Sequence, residues 1–215
     1  MEEGRLLGHI VSKYSVRIDP DRVSAIQNIP CPRNKKEVQS FMGNINFLRK
    51  FIPNLAENMK LITNMLKKDE DTKWMIEAHS SFENIKHAMG QSPVLVSLDY
   101  TKNFLIFYFS SEHTIAAVLL QKNKDDQEQA IAFFSRSLRD RELKYTTMEK
   151  QAYALVKALK SFRDYVLHLK IIAYVPNSTI KDMLIQPNSK GKRGRWITKI
   201  QDYDLKIKPT KLVKG

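Results

Sequence analysis

Side chains able to do chemistry are plentiful in this chain, but their spacing argues against most enzyme classes. No G-x-S-x-G, H-E-x-x-H or C-x-x-C occurs, so the sequence offers no nucleophile elbow, no helix-borne zinc pair and no dithiol. The five histidines, His9, His79, His87, His113 and His168, lack ligand spacing. His79 and His87 stand eight residues apart, beyond the i, i+4 pair that one helical turn brings together. The run GKRG at 191–194 lacks the leading glycine spacing and the Ser or Thr of a phosphate loop. Cys31, between Pro30 and Pro32, is the lone cysteine; it excludes an intrachain disulfide and a multi-cysteine metal site, and agrees with a reducing compartment. Thr146 and Glu149 form a Thr-x-x-Glu pair, which at a helix start reads as a capping box.

Charge points elsewhere than catalysis. The 215 residues carry 36 Lys and Arg against 23 Asp and Glu, a net charge of +13, which suits a polyanionic partner because each neutralised phosphate releases condensed counterions. A solvated basic surface is the alternative. Distribution favours the first reading: from Gln186 to Gly215 there are nine basic and two acidic residues, and SKGKRGRW sets Lys190, Lys192, Arg193 and Arg195 beside Trp196. No apolar run approaches the roughly 18 residues of a membrane span, and the acidic N-terminus is unlike a signal peptide. The expectation is a soluble intracellular protein without a membrane partner, long enough for one or two domains.

The elements that would hold these groups centre on residues 104–185. Three strand-like runs, 104–109, 114–121 and 130–135, precede a long helix whose Ala152, Leu155, Val156, Leu159, Phe162 and Val166 recur at spacings of three and four. A fourth run, 170–175, leads into a short helix carrying Ile180, Met183 and Leu184, and 189–195 reads as a basic loop. Upstream, LLGHIVS at 6–12 predicts one strand of a hairpin whose partner lies outside the chain. Asp19 and Pro20 predict a helix start, with Val23, Ile26 and Ile29 along it up to Pro30. Asn34 starts a second helix, with Glu37 in a box-like position and Val38, Phe41, Met42, Ile45 and Leu48 on one face. Lys35, Lys36, Arg49 and Lys50 lie outside that stripe, either solvated or offered to phosphates. Leu55, Met59, Ile62 and Leu66 mark a third helix. The charged run KKDEDTK follows as a domain boundary, Trp74 opens the next unit as a core residue, and Phe82, Ile85 and Met89 line a fourth helix that Gly90 would end as a left-handed cap.

The runs NFLIFYFSSEHTIAAVLLQK, IAFFSRSLRDRELKYTTMEKQAYALVKALKSFRDYVL and IIAYVPNSTIKDML resemble the ribonuclease H that follows gypsy-type reverse transcriptase in LTR retrotransposon polyproteins. LLGHIVSKYSVRIDPDRVSAIQNIPCPRNKKEVQSFMGNINFLRKFIPNL looks like the end of the palm and the thumb of the same polyprotein. AYVP and IKPTKLVKG look most like plant members, in which a second ribonuclease H is encoded downstream. The resemblance implies an α+β fold: residues 1–13 the end of the palm with its primer-grip strand, 14–73 a small helical thumb, and 74–215 a ribonuclease H-like connection domain, a mixed sheet flanked by helices. It also puts Leu7, Gly8 and His9 where the primer backbone is touched, a fraying N-terminal strand being the other reading.

The same resemblance implies where catalytic metal ligands belong. Ribonuclease H holds two magnesium ions with carboxylates. The first-strand ligand of a T-D-A-S sequence falls on Phe109, within Tyr108-Phe109-Ser110-Ser111; the ligand of a T-D-H sequence falls on Pro176, within Val175-Pro176-Asn177. Neither side chain has an oxygen. Glu149 matches the helix ligand, the fourth lies past Gly215, and Glu112 stands three residues from Phe109, in a turn. The polymerase Y-x-D-D motif would lie upstream of Leu6. The expectation is therefore a non-catalytic thumb and connection piece of a reverse transcriptase, with Glu149 vestigial and no metal or other cofactor. It would hold RNA/DNA hybrid or duplex DNA beside the rest of the polyprotein, through Gly8, His9, Lys35, Lys36, Arg49, Lys50 and the basic residues 190–195. An active nuclease using magnesium, and a fragment with no nucleic-acid affinity, are the rival readings.

Overall fold

The computed structural model describes residues 3–66, 76–186 and 190–210, which form two joined units. The first begins with a hairpin, β1 (Gly4–Leu6) and β2 (His9–Val11), whose antiparallel partner β3 (Ser15–Ile18) pairs in turn with the short β4 (Leu95–Val96). The apolar stretch 6–12 is therefore not a single strand awaiting an outside partner. Leu7 and Gly8 take φ of 48° and 73°, the left-handed pair of a two-residue hairpin turn, so the chain reverses inside the run and pairs with itself. Ser12 closes the next turn, its Oγ accepting from the amides of Tyr14 and Ser15.

Helices fill the rest of this unit. Asp19 caps α1 (Pro20–Gln27) by accepting from the Asp21 amide, and Asn34 caps α2 (Lys35–Phe47) by accepting from the Glu37 amide. The Glu37 carboxylate reaches the Arg33 amide at 2.7 Å and Asn34 Nδ2 at 2.8 Å. A 3-10 turn (Arg49–Phe51) leads to α3 (Leu55–Met65), and α4 (Ile76–Gly90) packs on the same core. Phe82, Ile85 and Met89 of α4 are buried with Val38, Phe41, Ile45, Leu55 and Ile62, and the Phe41 and Phe82 rings lie 4.7 Å apart. Gly90 is not a left-handed cap. It is helical and sits against α1, where a Cβ would lie 2.6 Å from Gln27 Nε2. Trp74 and the whole of KKDEDTK lie outside the described residues.

The second unit is a five-stranded sheet in the order β7-β6-β5-β8-β9. β5 (Phe104–Ser110), β6 (Thr114–Lys122) and β7 (Glu128–Ser137) run antiparallel, while β8 (Ile171–Val175) and β9 (Leu205–Pro209) add in parallel. This is the mixed α+β sheet with flanking helices that the sequence implied. Three departures have local causes. The long helix breaks at Phe162 into α5 (Thr147–Ser161) and α6 (Arg163–Val166). α7 (Ser178–Ile185), capped by Asn177, follows as expected, but the supposed basic loop is the first half of a helix, α8 (Gly191–Ile200). Trp196 and Ile200, four residues apart, give it a buried face that Gly191 and Gly194 disguise in the sequence. The tail supplies β9, Lys and apolar residues alternating along an edge strand.

Alternation sorts the sheet into two faces. Phe104, Ile106 and Tyr108 of β5, with Ile115, Ala117 and Leu119 of β6, pack beneath α5, α7 and α8. On the opposite face the helical unit covers β7 and part of β6. Phe133 packs against its core, Ala56 N donates to Ser135 Oγ at 3.0 Å, and Glu57 accepts from the hydroxyls of Ser111, at 3.1 Å, and of Thr114. Ser135 and Thr114 are fully buried, so these bonds satisfy polar groups that water does not reach.

Candidate nucleic-acid interface

The hairpin turn exposes Leu6 and Leu7, the latter by 76%, and aims Gly8 back toward the helices, where its carbonyl accepts from the Asp19 amide at 3.1 Å. His9 does not face outward. It is 8% exposed, with its ring 4.9 Å from that of Phe47 and stacked on Phe51 at 5.1 Å, and Nε2 has no partner. Burial lowers its pKa, and the nearby charges of Lys50 and Arg22 push the same way, against hydrogen bonds to the backbone of Leu6 and Leu7. The shift favours the neutral ring. Beside it Lys50 and Phe47 line a groove with Leu6, Leu7, Val11 and Val16.

Two basic residues flank this groove. Lys50 lies 5.1 Å above the Phe51 ring, with its pKa lowered by burial. Arg22 sits 5.8 Å from the Phe47 ring and donates to Asn44; with Phe47 it is a contributor the sequence reading missed, since its relation to Gly8 exists only after the hairpin folds. Arg49 is turned partly inward, donating to Asn46 at 3.0 Å, and burial lowers its pKa too. Lys35 and Lys36 stand in the first turn of α2, at the opposite end from Arg49 and Lys50. Thirteen helical residues separate the two pairs by roughly 20 Å, so they form two cationic points spaced along a path and not one patch.

The C-terminal basic group divides in another way. Lys190 and Arg195 are exposed at α8. Lys192 and Arg193 instead reach across to α5, placing Lys192 Nζ 2.9 Å and Arg193 Nη2 3.6 Å from Glu149 Oε1. Lys192 also covers the Tyr145 ring at 4.4 Å. The other Glu149 oxygen accepts from the Thr146 amide at 3.1 Å, while Thr146 Oγ1 accepts from the Glu149 amide, completing the capping box. Burial alone would raise the Glu149 pKa. The hydrogen bonds from Lys192 and the Thr146 amide, with the charges of Lys192 and Arg193, outweigh it and hold the carboxyl below its ordinary value.

Among the described residues, no set of acidic side chains gathers around that carboxylate to hold a metal pair. Phe109, paired with Ala116, lies on the sheet face opposite α5 and is 53% exposed. Pro176 follows β8 with no side-chain donor. The Glu112 carboxylate is almost wholly solvent-exposed, beside His113 at 3.8 Å, and the Glu112 carbonyl accepts from Lys150. Among the described residues no three His, Cys, Asp or Glu side chains converge. Two divalent ions need several anionic oxygens, and the donors at these positions do not fit them.

Residues 74–173 match the family model of the RNase H-like domain found in reverse transcriptase. Across nearly its whole length the chain is similar to segments of transposon polyproteins. It is 33% identical over 208 residues to the retrovirus-related Pol polyprotein from transposon 297 of Drosophila melanogaster, covering 96% of this chain and 19% of that polyprotein. It is 28% identical over 214 residues to the transposon Tf2-3 polyprotein of Schizosaccharomyces pombe, covering 94% of this chain and 16% of the other. The chain thus spans a fifth or less of these curated relatives. Among solved structures it is similar to a foamy viral protease-reverse transcriptase in complex with double-stranded DNA, with a TM-score of 0.81 and 26% identity over 100% of this chain and 46% of that one. The same enzyme in complex with RNA/DNA hybrid gives 0.81 and 26%, over 99% and 30%.

Proposed function

We propose that this chain, whose residues 74–173 match the reverse-transcriptase RNase H-like domain, is a thumb and connection portion that holds template-primer duplex or RNA/DNA hybrid without cutting it. The observation that carries the reading is the engagement of Glu149 by Lys192 and Arg193. Two cations of the chain's own occupy the one acid left at the positions where ligands are implied, and Phe109 and Pro176 offer no replacement. A holding role needs shape and positive charge, and those remain. Lys50 and Arg22 beside the hairpin turn, Lys36 at the far end of α2, and Lys190 and Arg195 on α8 are suited to phosphate contacts, which position a duplex without reading its bases. Similarity to a protein solved with double-stranded DNA and with RNA/DNA hybrid supports the same partners here.

In this reading residues 1–13 act as the palm's last hairpin, 14–73 as the thumb and 74–215 as the connection, whose first helix, α4, packs in the thumb core. The chain works inside the cell, in a retroelement particle or the nucleus, next to the rest of its polyprotein, needing no cofactor. AYVP and the lysine-rich tail favour a gypsy-type element of the plant group. The test is duplex affinity across about 50 to 200 mM salt. If roughly four to six phosphates are contacted, the log-log slope is about −4 to −5. A slope near zero overturns the proposal.

A further inference from the structure

Among the described residues one part of the central sheet is covered less than the rest. α5, α7 and α8 all lie on one face, and the helical unit covers β7 and part of β6 on the other. Over β8, β9 and the end of β5 that second face is only partly covered among the described residues: Phe109 and Lys206 are exposed, Phe107, Ile172, Tyr174 and Lys208 are half-buried, and Leu105 is buried. Its rows follow from register: Phe107 of β5 stands beside Tyr174 of β8 and Lys208 of β9, and Leu105 beside Ile172 and Lys206. The Phe107 and Tyr174 rings are stacked, 4.7 Å apart and 12° from parallel. Phe109, two residues further along β5, projects beyond them with half its surface in solvent.

We propose that this face binds single-stranded nucleic acid, with bases stacking on Phe109 and on the Phe107–Tyr174 pair, and phosphates held by Lys206 and Lys208. Aromatic rings on a flat sheet provide stacking platforms for bases of any identity, and an adjoining row of ammonium groups tracks the backbone. The three strands place no acidic side chain on this face, so the charge complements a polyanion. An apolar protein partner would have to bury both lysines unpaired, at a cost that a nucleic-acid backbone avoids. A duplex keeps its bases stacked on each other and offers the rings little, so this site is separate from the duplex-holding residues and stands whether or not they bind.

The probe is a fluorescein-labelled oligothymidylate of about twelve nucleotides, titrated against the full chain by anisotropy, with a hairpin duplex in parallel. Phe109→Ala is expected to weaken oligothymidylate binding about 5- to 100-fold, from one lost stacking contact, while changing duplex affinity less than about twofold. Phe109→Trp is expected to retain binding, with indole fluorescence quenched on addition of the unlabelled oligonucleotide. Should Phe109→Ala lower the melting temperature, Lys206→Ala with Lys208→Ala, on the exposed edge strand, reads the same loss. Three results overturn the proposal: no oligothymidylate binding by the unmodified chain, affinity unchanged in Phe109→Ala and in the double lysine variant, or a dimer in sedimentation that Phe109→Ala dissolves, which would make the face a contact between copies. Loss of duplex binding alone would count against the proposed function and leave this site standing.

Discussion

Lys192 Nζ lies 2.9 Å from Glu149 Oε1, joining the first turn of α8 to the first turn of α5 at the place where the ribonuclease H resemblance expects a carboxylate on a metal ion. An ammonium there neutralises the acid and lies over the Tyr145 ring, 4.4 Å from its centre. The first prediction concerns what happens when that acid is changed.

Glutamine at 149 can still accept from the Thr146 amide, so Glu149→Gln keeps the cap and loses the two ion pairs. The folded carboxyl titrates below its unfolded value; the stability it supplies is therefore fully present above about pH 4.5 and is lost as pH falls through the folded pKa. Melting curves from about pH 7 to 3 should show a steeper acid limb for the unmodified protein than for the variant. Thr146→Ala should cost about 1 kcal/mol. Magnesium or EDTA should leave both melting temperatures unchanged, and a magnesium-dependent rise that Glu149→Gln abolishes would contradict the cap-and-ion-pair account.

Ser135 Oγ is the acceptor for the Ala56 amide, at 3.0 Å between the two units. Ser135→Ala leaves that buried N–H unpaired and should cost about 1 to 3 kcal/mol in chemical denaturation, without altering duplex contacts. A change within experimental error would mean that this bond adds nothing to the joining of the units.

His9, stacked on Phe51 and tilted against Phe47, has its pKa lowered, so the unfolded chain takes up the proton first. Stability should fall as pH drops below about 6.5, level off once the folded ring protonates, and lose this component in His9→Phe. An imidazole titration by NMR at or above 6.5 would refute the buried, neutral assignment.

The basic residues of α8 should not act alike. Lys190→Ala and Arg195→Ala should each flatten the salt slope of duplex binding by about one phosphate contact, whereas Lys192→Ala and Arg193→Ala, already engaged with Glu149, should change stability more than slope. Equal slopes for all four variants would indicate that the Glu149 pairing gives way to the duplex.

Much of this arrangement was legible in the residues because it rests on short-range rules. Asp19, Asn34 and Thr146 announce helix starts through their side-chain oxygens, and spacings of three and four expose α2 and α5. What escaped depends on contacts between distant residues or on concealed patterns. Gly8 turns the first apolar run back on itself, and α8 hides its Trp196 and Ile200 stripe behind two glycines and four cations. The candidate site was legible as residue types but not as partners: that Lys192 and Arg193 answer Glu149, that Lys35 and Lys50 mark opposite ends of a helix, and that Phe109 faces away from α5 all follow from tertiary packing. The shared core of α4 with α1–α3 is likewise set by Phe82 meeting Phe41, not by the charged run before it.

The most direct test places the unmodified protein on an RNA/DNA hybrid labelled on the RNA strand, and reads binding and strand integrity in the same samples, first with magnesium and then with manganese. The account predicts a salt-sensitive complex in which the RNA stays intact at every protein concentration, and no cleavage on Phe109→Asp, since Pro176 still supplies no oxygen. RNA cleavage that scales with protein concentration and disappears in Glu149→Gln or Glu112→Gln would contradict it.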